Sequence, residues 1–503
     1  MQINLASGLR YRALRHPEQV AVVYEDLEVS YDELAARVDR MAAVLHGRGI
    51  GQGDIVAAFM KNSLAYLELG YATSHLGAVL LPMNYRLAAE EAAYIHDHAG
   101  VKLLFADEEF REAVAALPSV VWLDEAAQRD SARLGNPGLP VPPRAEVSAQ
   151  DLHRLMYTSG TTDRPKGVMH SYENYYWKWL EHVTSWDLSH RSRALVVGPM
   201  YHVAGWDAPG TNLLMLGGMY CLLREFDEAR TLAAIQRHRI TCLWLAPVML
   251  GRILAFPDRH RYDVGSVELV LGGGEKTPEV RIREFNAYFP NARYADGYGM
   301  TETNAFDTVM PPGMELAKIG SAGHAVAHTE VAVFDDDGNR LPANQVGEIC
   351  MRGLKVTRGY WKDPEKTAAS FFGEWLRSGD VGYLDEEGYL YLTDRKKDMI
   401  LSGAENIASS EVERVIYELP QVAECAVVGI PDPRWGESPV ALVVLKPGAA
   451  LDYAALECHC RGHLAGFKVP KALYLRDTLP RNPSGKILKR VLRDELTQLK
   501  ENP

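Results

Sequence analysis

Tyr157-Thr158-Ser159-Gly160-Thr161-Thr162-Asp163-Arg164-Pro165-Lys166-Gly167 follows an apolar run that ends in Leu155 and Met156. Hydroxyls, glycines and cations are crowded into this one loop. Such a loop offers backbone N–H groups, O–H donors and positive charge together, the groups that hold a polyphosphate. It is not a Walker A loop: Pro165 stands five residues after Gly160, and Lys166 precedes Gly167 instead of a Ser or Thr. A solvated Ser/Thr/Gly turn has the same composition, so the loop alone leaves both readings open.

Upstream, Ser30 with Glu33 forms a capping box, and Leu34, Val38, Met41 and Leu45 follow at helical spacing. Ile55–Phe59, Ala78–Leu81 and Val101–Phe105 read as strands, and Leu64–Leu76 and Ala88–His98 as helices between them. Strand, helix, strand at this rhythm means βαβ units and a mostly parallel sheet. Pro137 to Pro143 is a surface connection leading to the loop.

Downstream the alternation resumes. Ala194–Val197, Ile240–Leu245, Val267–Leu271 and Ala292–Ala295 are expected strands; Thr231–Arg239 and Glu279–Phe289 are expected helices. From about Ile319 the runs shorten and are split by Asp335-Asp336-Asp337-Gly338 and Asp385-Glu386-Glu387-Gly388. Acidic turns of that kind predict an antiparallel β subdomain. After Lys397 a smaller α+β unit is expected: a helix capped by Ser410 with Glu413, strands Ala423–Val428 and Val440–Leu445, then helices Tyr453–Leu464 and Ile487–Lys500.

Four further motifs follow the loop in order: Tyr298-Gly299-Met300-Thr301-Glu302-Thr303, Ser378-Gly379-Asp380, Asp394-Arg395-Lys396-Lys397-Asp398 and Pro483-Ser484-Gly485-Lys486. Together they resemble the adenylate-forming superfamily of acyl-CoA synthetases, non-ribosomal adenylation domains and luciferases, over nearly the whole chain. The resemblance implies an α/β fold: a large N-terminal domain over 1–394 of mixed and parallel βαβ sheets, with a β-rich subdomain at about 319–394. A hinge at 395–398 and a small, mobile α+β lid over 399–503 complete it.

It also implies roles. Thr158, Ser159, Gly160, Thr161, Thr162 and Lys166 would hold the β- and γ-phosphates of ATP. Asp163 stands where glycine is usual, and a carboxylate there repels pyrophosphate. Tyr298 and Gly299, with Gly273, Gly274 and Glu275 of the turn after Val267–Leu271, would surround adenine. Thr301 would bond the α-phosphate, and Glu302 would hold Mg²⁺. Asp380 would accept the ribose hydroxyls, and Arg395 would bond ribose or phosphate. Lys486 would serve the carboxylate during adenylation as a point charge. Lys397 falls at the hinge position, and Gly403, followed by Ala404 where a second glycine is frequent, would line a coenzyme A tunnel.

In Met200-Tyr201-His202-Val203-Ala204-Gly205-Trp206, His202 matches the family's aromatic gate. Val203 stands where members that activate α-amino acids carry Asp, which argues against an amino-acid substrate. Trp206, Gly273, Gly274 and Met300 would line an apolar pocket for an alkyl or aryl acid, although Trp206 reads equally well as core. The expected activity is ATP- and Mg²⁺-dependent acid:CoA ligation through an acyl-adenylate. The rivals are an acyl-AMP ligase that loads a carrier protein, a ligase that has lost adenylation and uses preformed acyl-adenylate, and a non-catalytic nucleotide-binding regulator.

Composition bounds these readings. The 503 residues, 47% hydrophobic and 24% charged, are those of a soluble multidomain protein, and a net charge of −12 argues against a nucleic-acid partner. Six cysteines fit a reducing cytoplasm. Cys458-His459-Cys460 resembles a metal-binding fragment, but no second pair supports it. Met1-Gln2-Ile3-Asn4-Leu5 leads to no signal peptide, and the apolar stretch around Leu213–Leu223 falls short of the about 20 residues of a membrane span. A homodimer stays open.

Overall fold

The computed structural model describes all residues except 1–2, 136–137, 159–164, 275–276, 278, 396–397, 403–404, 433, 482–486 and 502–503. The chain divides into two compact units, one of 1–331, 351–376 and 388–390, the other of 332–350, 377–387 and 391–503.

In the first unit two sheets carry the fold. One has the strand order Arg293–Ala295, Leu269–Leu271, Cys242–Trp244, Arg193–Val196, Met219–Leu222, Val20–Tyr24, Leu27–Ser30. The other runs Val120–Leu123, Val101–Asp107, Ile55–Phe59, Val79–Pro82, Leu152–Thr158, Lys166–Ser171. Each is parallel except for its last pair.

Their strands are continuous apolar runs because both faces are covered. The period of two deals alternate residues to different cores. Val22 and Tyr24 join the core between the sheets, Val23 the outer one. Likewise Val56 and Ala58 face inward, while Ile55, Ala57 and Phe59 pack outward.

Helices Leu5–Arg15, Tyr31–Gly47 and Leu64–His75 fill the space between the sheets. Every residue of Leu64–His75 is buried, so this helix has no polar face. Ser30 caps Tyr31–Gly47 as expected, its Oγ accepting from the Glu33 N–H at 3.2 Å. Glu33 instead accepts from Arg37 at 2.9 Å, so only half of the box forms.

Short strands of residues 329–395 make a five-stranded sheet, consistent with the expected β-rich region. In the second unit the chain after 399 builds another sheet, ordered Glu405–Ile407, Ile400–Ser402, Gly436–Leu445, Val422–Asp432, with Leu473–Leu475 beside Gly436–Leu445. Cys425, Val427, Ala441 and Val443 pack under helices Ser409–Tyr417 and Tyr453–His463; Ala426, Val428, Val440 and Leu442 pack against Leu492 and Leu496 of Lys489–Glu501. The expected Ser410–Glu413 cap is not the one formed. Asp394 caps Ser409–Tyr417 instead, accepting from the Ser409 N–H at 2.5 Å and Oγ at 2.6 Å. Glu413 is taken by the ammonium of Lys489, at the start of the last helix, at 2.8 Å, and also accepts from the Val427 N–H at 2.7 Å.

Candidate active site

Parallel strands deliver their C-terminal ends to one edge, where loops collect ligands. Leu269–Leu271 and Arg293–Ala295 are neighbours in register, so the turn after the first lies beside Gly297–Tyr298. The contact is close. Gly273 has φ +148°, and a Cβ on it would stand 2.7 Å from the Gly297 carbonyl oxygen. Gly299 is equally constrained, since a Cβ there would lie 2.2 Å from the Phe306 nitrogen. The structure therefore brings Gly273, Gly274, Tyr298 and Gly299 together.

Past Tyr298 the chain forms a single 3₁₀ turn, Thr301–Thr303. Asn304, Ala305 and Phe306 then occupy the left-handed region in succession, with φ 58°, 67° and 51°. For Ala and Phe that conformation costs roughly 1 kcal/mol or more each. Three anchors hold it. Lys355 Nζ donates to the carbonyls of Ala305 and Phe306 at 3.1 and 2.7 Å. Asn304 accepts from Arg154 at 3.0 Å and donates to the Lys355 carbonyl at 3.0 Å. The Ala305 N–H donates to the Met300 carbonyl at 3.0 Å.

Beneath the turn lies a set of buried charges. Asp207 accepts from Arg154 at 2.8 Å and from Lys178 at 2.6 Å, all three side chains being almost wholly removed from solvent. Lys355 lies 3.2 Å from both Glu181 and Asp307. Asp207 is buried, but the facing Arg154 and Lys178 hold its carboxyl below the usual range. Burial pushes Glu181 up to about 7 and Lys178 down to about 8.

His170 links this set to the turn. Its Nδ1 accepts from Arg154 Nε at 3.1 Å, so Nε2 carries the proton and donates to the Thr301 carbonyl at 2.7 Å. Burial and then Arg154 push its pKa down to about 3, keeping it neutral.

Glu302 is 7% exposed, and its Oε1 accepts from the Tyr360 hydroxyl at 3.0 Å. Lys166 Nζ lies over the same tyrosine ring, 5.4 Å from its centre. Tyr360 is fixed there by the bridge Val168↔Tyr360 and by the Trp361 N–H, which donates to the Gly167 carbonyl at 2.7 Å. Burial, then the neighbouring Lys366, pushes the Lys166 ammonium down to about 8, while Glu302 and Asp363 pull the other way. Two cations set against each other in a half-buried place favour an anion between them.

Thus Lys166 from the opening loop and Glu302 from the second motif share one aromatic platform. Thr158 pairs with Lys166 at the root of that loop. Ser159, Gly160, Thr161, Thr162 and Asp163 lie outside the described residues, as do Glu275, Lys397, Gly403, Ala404 and Lys486.

His202 stands at the N-cap position of the short helix Val203–Trp206 without a side-chain capping bond, and burial pushes its pKa down to about 4. Trp206 belongs to the core between the sheets, 5.6 Å from Tyr66 by ring centres and packed against Gly70, where a Cβ would meet the indole at 2.2 Å. Met300 is half-buried ahead of the turn. In the second unit Asp380 lies half-buried in strand Trp375–Leu384, its N–H donating to Ser378 Oγ at 2.9 Å. Arg395 ends strand Leu390–Arg395, and its side chain lies outside the described residues.

Sequence reading missed Arg154, His170, Lys178, Asp207, Lys355, Tyr360 and Lys366. One signal was present: Arg154 interrupts an apolar strand.

Comparison with known proteins matches this arrangement. The family model for AMP-binding enzymes covers residues 9–361, and that for the AMP-binding enzyme C-terminal domain covers 411–486. A feruloyl-CoA synthase of Amycolatopsis is 38% identical over 480 residues, 95% of this chain and 96% of that protein. The long-chain-fatty-acid–CoA ligase FadD13 of Mycobacterium tuberculosis is 34% identical, with 98% of each chain covered. The o-succinylbenzoate CoA synthetase of Bacillus subtilis, solved with an acyl-adenylate, superposes with a TM-score of 0.89 at 31% identity, covering 97% of this chain and 98% of that one. The same synthetase has been solved with ATP and a magnesium ion, with a TM-score of 0.88 at 30% identity, covering 97% and 99%.

Proposed function

The chain belongs to the AMP-binding enzyme family, and from that membership we propose that it is an ATP-dependent carboxylic acid:CoA ligase that forms an acyl-adenylate and then an acyl-CoA thioester. The relatives are acid:CoA ligases, and one was captured with its adenylate. The observation that carries the reading in this chain is the Glu302–Tyr360–Lys166 platform.

A carboxylate cannot acylate a thiol at neutral pH without a better leaving group, and adenylation supplies one. An anionic acid must then approach an anionic triphosphate, so preorganised positive charge and N–H dipoles are needed. Lys166, crowded by Lys366, is such a cation, and polyphosphate relieves the crowding. Glu302 presents a buried carboxylate beside it, a donor that fits Mg²⁺. Bound there, the ion offsets phosphate charge. Tyr360 orients the Glu302 carboxylate through its hydroxyl.

The remaining assignments belong to the same proposal. Tyr298 stacks on adenine beside Gly273, Gly274 and Glu275; Thr301 donates to the α-phosphate; Asp380 and Arg395 take the ribose. Lys486 serves adenylation, and the lid over 399–503 turns about 395–398 to bring Gly403 to the thiol half-reaction. His202 and Met300 face an apolar alkyl or aryl acid, and Val203, standing where an aspartate would pair an ammonium, offers no carboxylate. No disulfide joins the described cysteines, which suits work in a reducing cytoplasm. No described helix is long and apolar enough to cross a membrane.

The test is a panel of acids with ATP, Mg²⁺ and CoA, scored by CoA thioester mass alongside acid-dependent ATP–pyrophosphate exchange. We expect both signals with an apolar acid. Exchange with no thioester, rescued by a carrier protein, favours the carrier-loading reading; thioester only from synthetic acyl-AMP favours lost adenylation. No turnover with any acid or acyl-AMP overturns the enzyme reading.

A further inference from the structure

His459 and His463 stand one turn apart on helix Tyr453–His463, and Glu418 is the C-cap of helix Ser409–Tyr417. The i,i+4 spacing places both imidazoles on one helix face. One donor atom from each of the three side chains lies within 4.8 Å of the others, and the imidazole centres are 4.8 Å apart. Cys460 is fully buried in the core of the small unit, and Cys458 is exposed and outside the cluster. The liganding potential of this segment thus lies in its histidines, not in the Cys-His-Cys triplet.

The hydrogen bonding of His459 has a direct consequence. Its Nε2 lies 2.9 Å from the Val415 carbonyl oxygen, which can only accept. Nε2 therefore carries the proton, and Nδ1 keeps its lone pair. A ring N–H tied to a backbone carbonyl, with the lone pair left on the other nitrogen, is how metal-ligating histidines are oriented.

Glu418 is paired with Arg414 at 3.2 Å, both exposed. Such a pair contributes about 0.3–0.5 kcal/mol, so releasing the carboxylate costs little.

We propose that Glu418, His459 and His463 form a site for a divalent cation of the zinc type, joining the end of helix Ser409–Tyr417 to helix Tyr453–His463. Two imidazoles and a carboxylate suit zinc; magnesium asks for oxygen donors. Tetrahedral zinc with bonds of about 2.1 Å sets its donors roughly 3.4 Å apart. Glu418 and His463 are exposed, so drawing their donors from within 4.8 Å to that spacing displaces no core side chain. Three protein ligands leave a fourth position for water or an added ligand.

The experiment is equilibrium dialysis of the full chain against zinc chloride, with and without excess Mg²⁺ and with no ATP, acid or CoA. Independence from turnover separates it from the ligase reading. One bound equivalent is expected, insensitive to Mg²⁺, with a rise in melting temperature; Co²⁺ in its place should give the visible absorption of a tetrahedral site. His463→Ala is exposed and should lose that equivalent and the thermal shift with an unchanged circular dichroism spectrum. Glu418→Gln should bind more weakly. His459→Ala also removes the bond to Val415, so His463→Ala is the deciding variant. No binding at micromolar zinc, or an equivalent that persists in His463→Ala, overturns the proposal.

Discussion

Two regions of the molecule use the same residue types to opposite effect. Under the Thr301–Thr303 turn, Arg154, Lys178 and Lys355 are buried with Asp207, Glu181 and Asp307. On the helices of the second unit, Arg414 pairs with Glu418 and Arg461 with Glu457, four residues apart on open faces. The surface pairs gain little, because water competes for each partner. The buried set lost its hydration on folding, so its members depend on one another. Its bonds run to backbone carbonyls and to Asn304, which makes it a mould for an unfavourable stretch of chain. Our hypothesis is that these charges are kept to fix the shape of 304–306 and not for net stability.

The largest expected effect comes from Asp207→Ala. It leaves the Arg154 guanidinium, which cannot shed its proton, buried without a carboxylate. A loss of about 3–5 kcal/mol should follow, read as a fall in the urea midpoint. A change below about 1 kcal/mol would erase the contrast between the two regions.

Lys355→Met should cost less, about 1–3 kcal/mol, because the abandoned Glu181 and Asp307 can take up protons, Glu181 being already near 7. Its mark should fall on catalysis: ATP–pyrophosphate exchange drops by more than the stability loss accounts for at a temperature where the variant is folded. Unchanged exchange would show that 304–306 holds its shape unaided.

Tyr360→Phe keeps the ring under Lys166 and removes one hydrogen bond to Glu302. Exchange activity should fall about tenfold, equivalent to about 1.4 kcal/mol, with a higher Mg²⁺ requirement. An equal fall at all Mg²⁺ concentrations would argue that the hydroxyl does not act through Glu302.

Acid probes the same mould. The folded-state pKa of His170 is depressed from 6.5 to about 3. Its contribution to stability is therefore full above about 6.5 and is lost as pH falls toward 3. His170→Gln offers a donor and an acceptor without titrating, and should show a shallower loss of unfolding free energy between pH 6.5 and 4 than the wild type. Equal slopes would mean that another group sets the acid response.

Arg461→Ala should be the smallest effect, within about 0.5 kcal/mol.

The order of strands and helices was legible residue by residue. Ile55–Phe59 and Glu279–Tyr288 fall where apolar runs and helical spacing placed them, the helix ending one residue early. Helix Leu5–Arg15 was not read; Gly8 interrupts it, and its stability comes from the core it joins. Strand Val20–Tyr24 was missed as well, although it pairs both with the adjacent Leu27–Ser30 and with the distant Met219–Leu222. The motif glycines were legible, but not why Gly299 must be glycine, since the backbone it meets belongs to Phe306.

By itself the sequence determined the family, the βαβ rhythm and the motif turns, because those rest on local spacing and on residue types that chemistry restricts. Tertiary structure alone decided which charges lose water. An arginine inside a strand or a lysine in Gly353-Leu354-Lys355 reads as surface until the layers close over it. Burial is a property of everything packed around a group, and a one-dimensional pattern does not carry it.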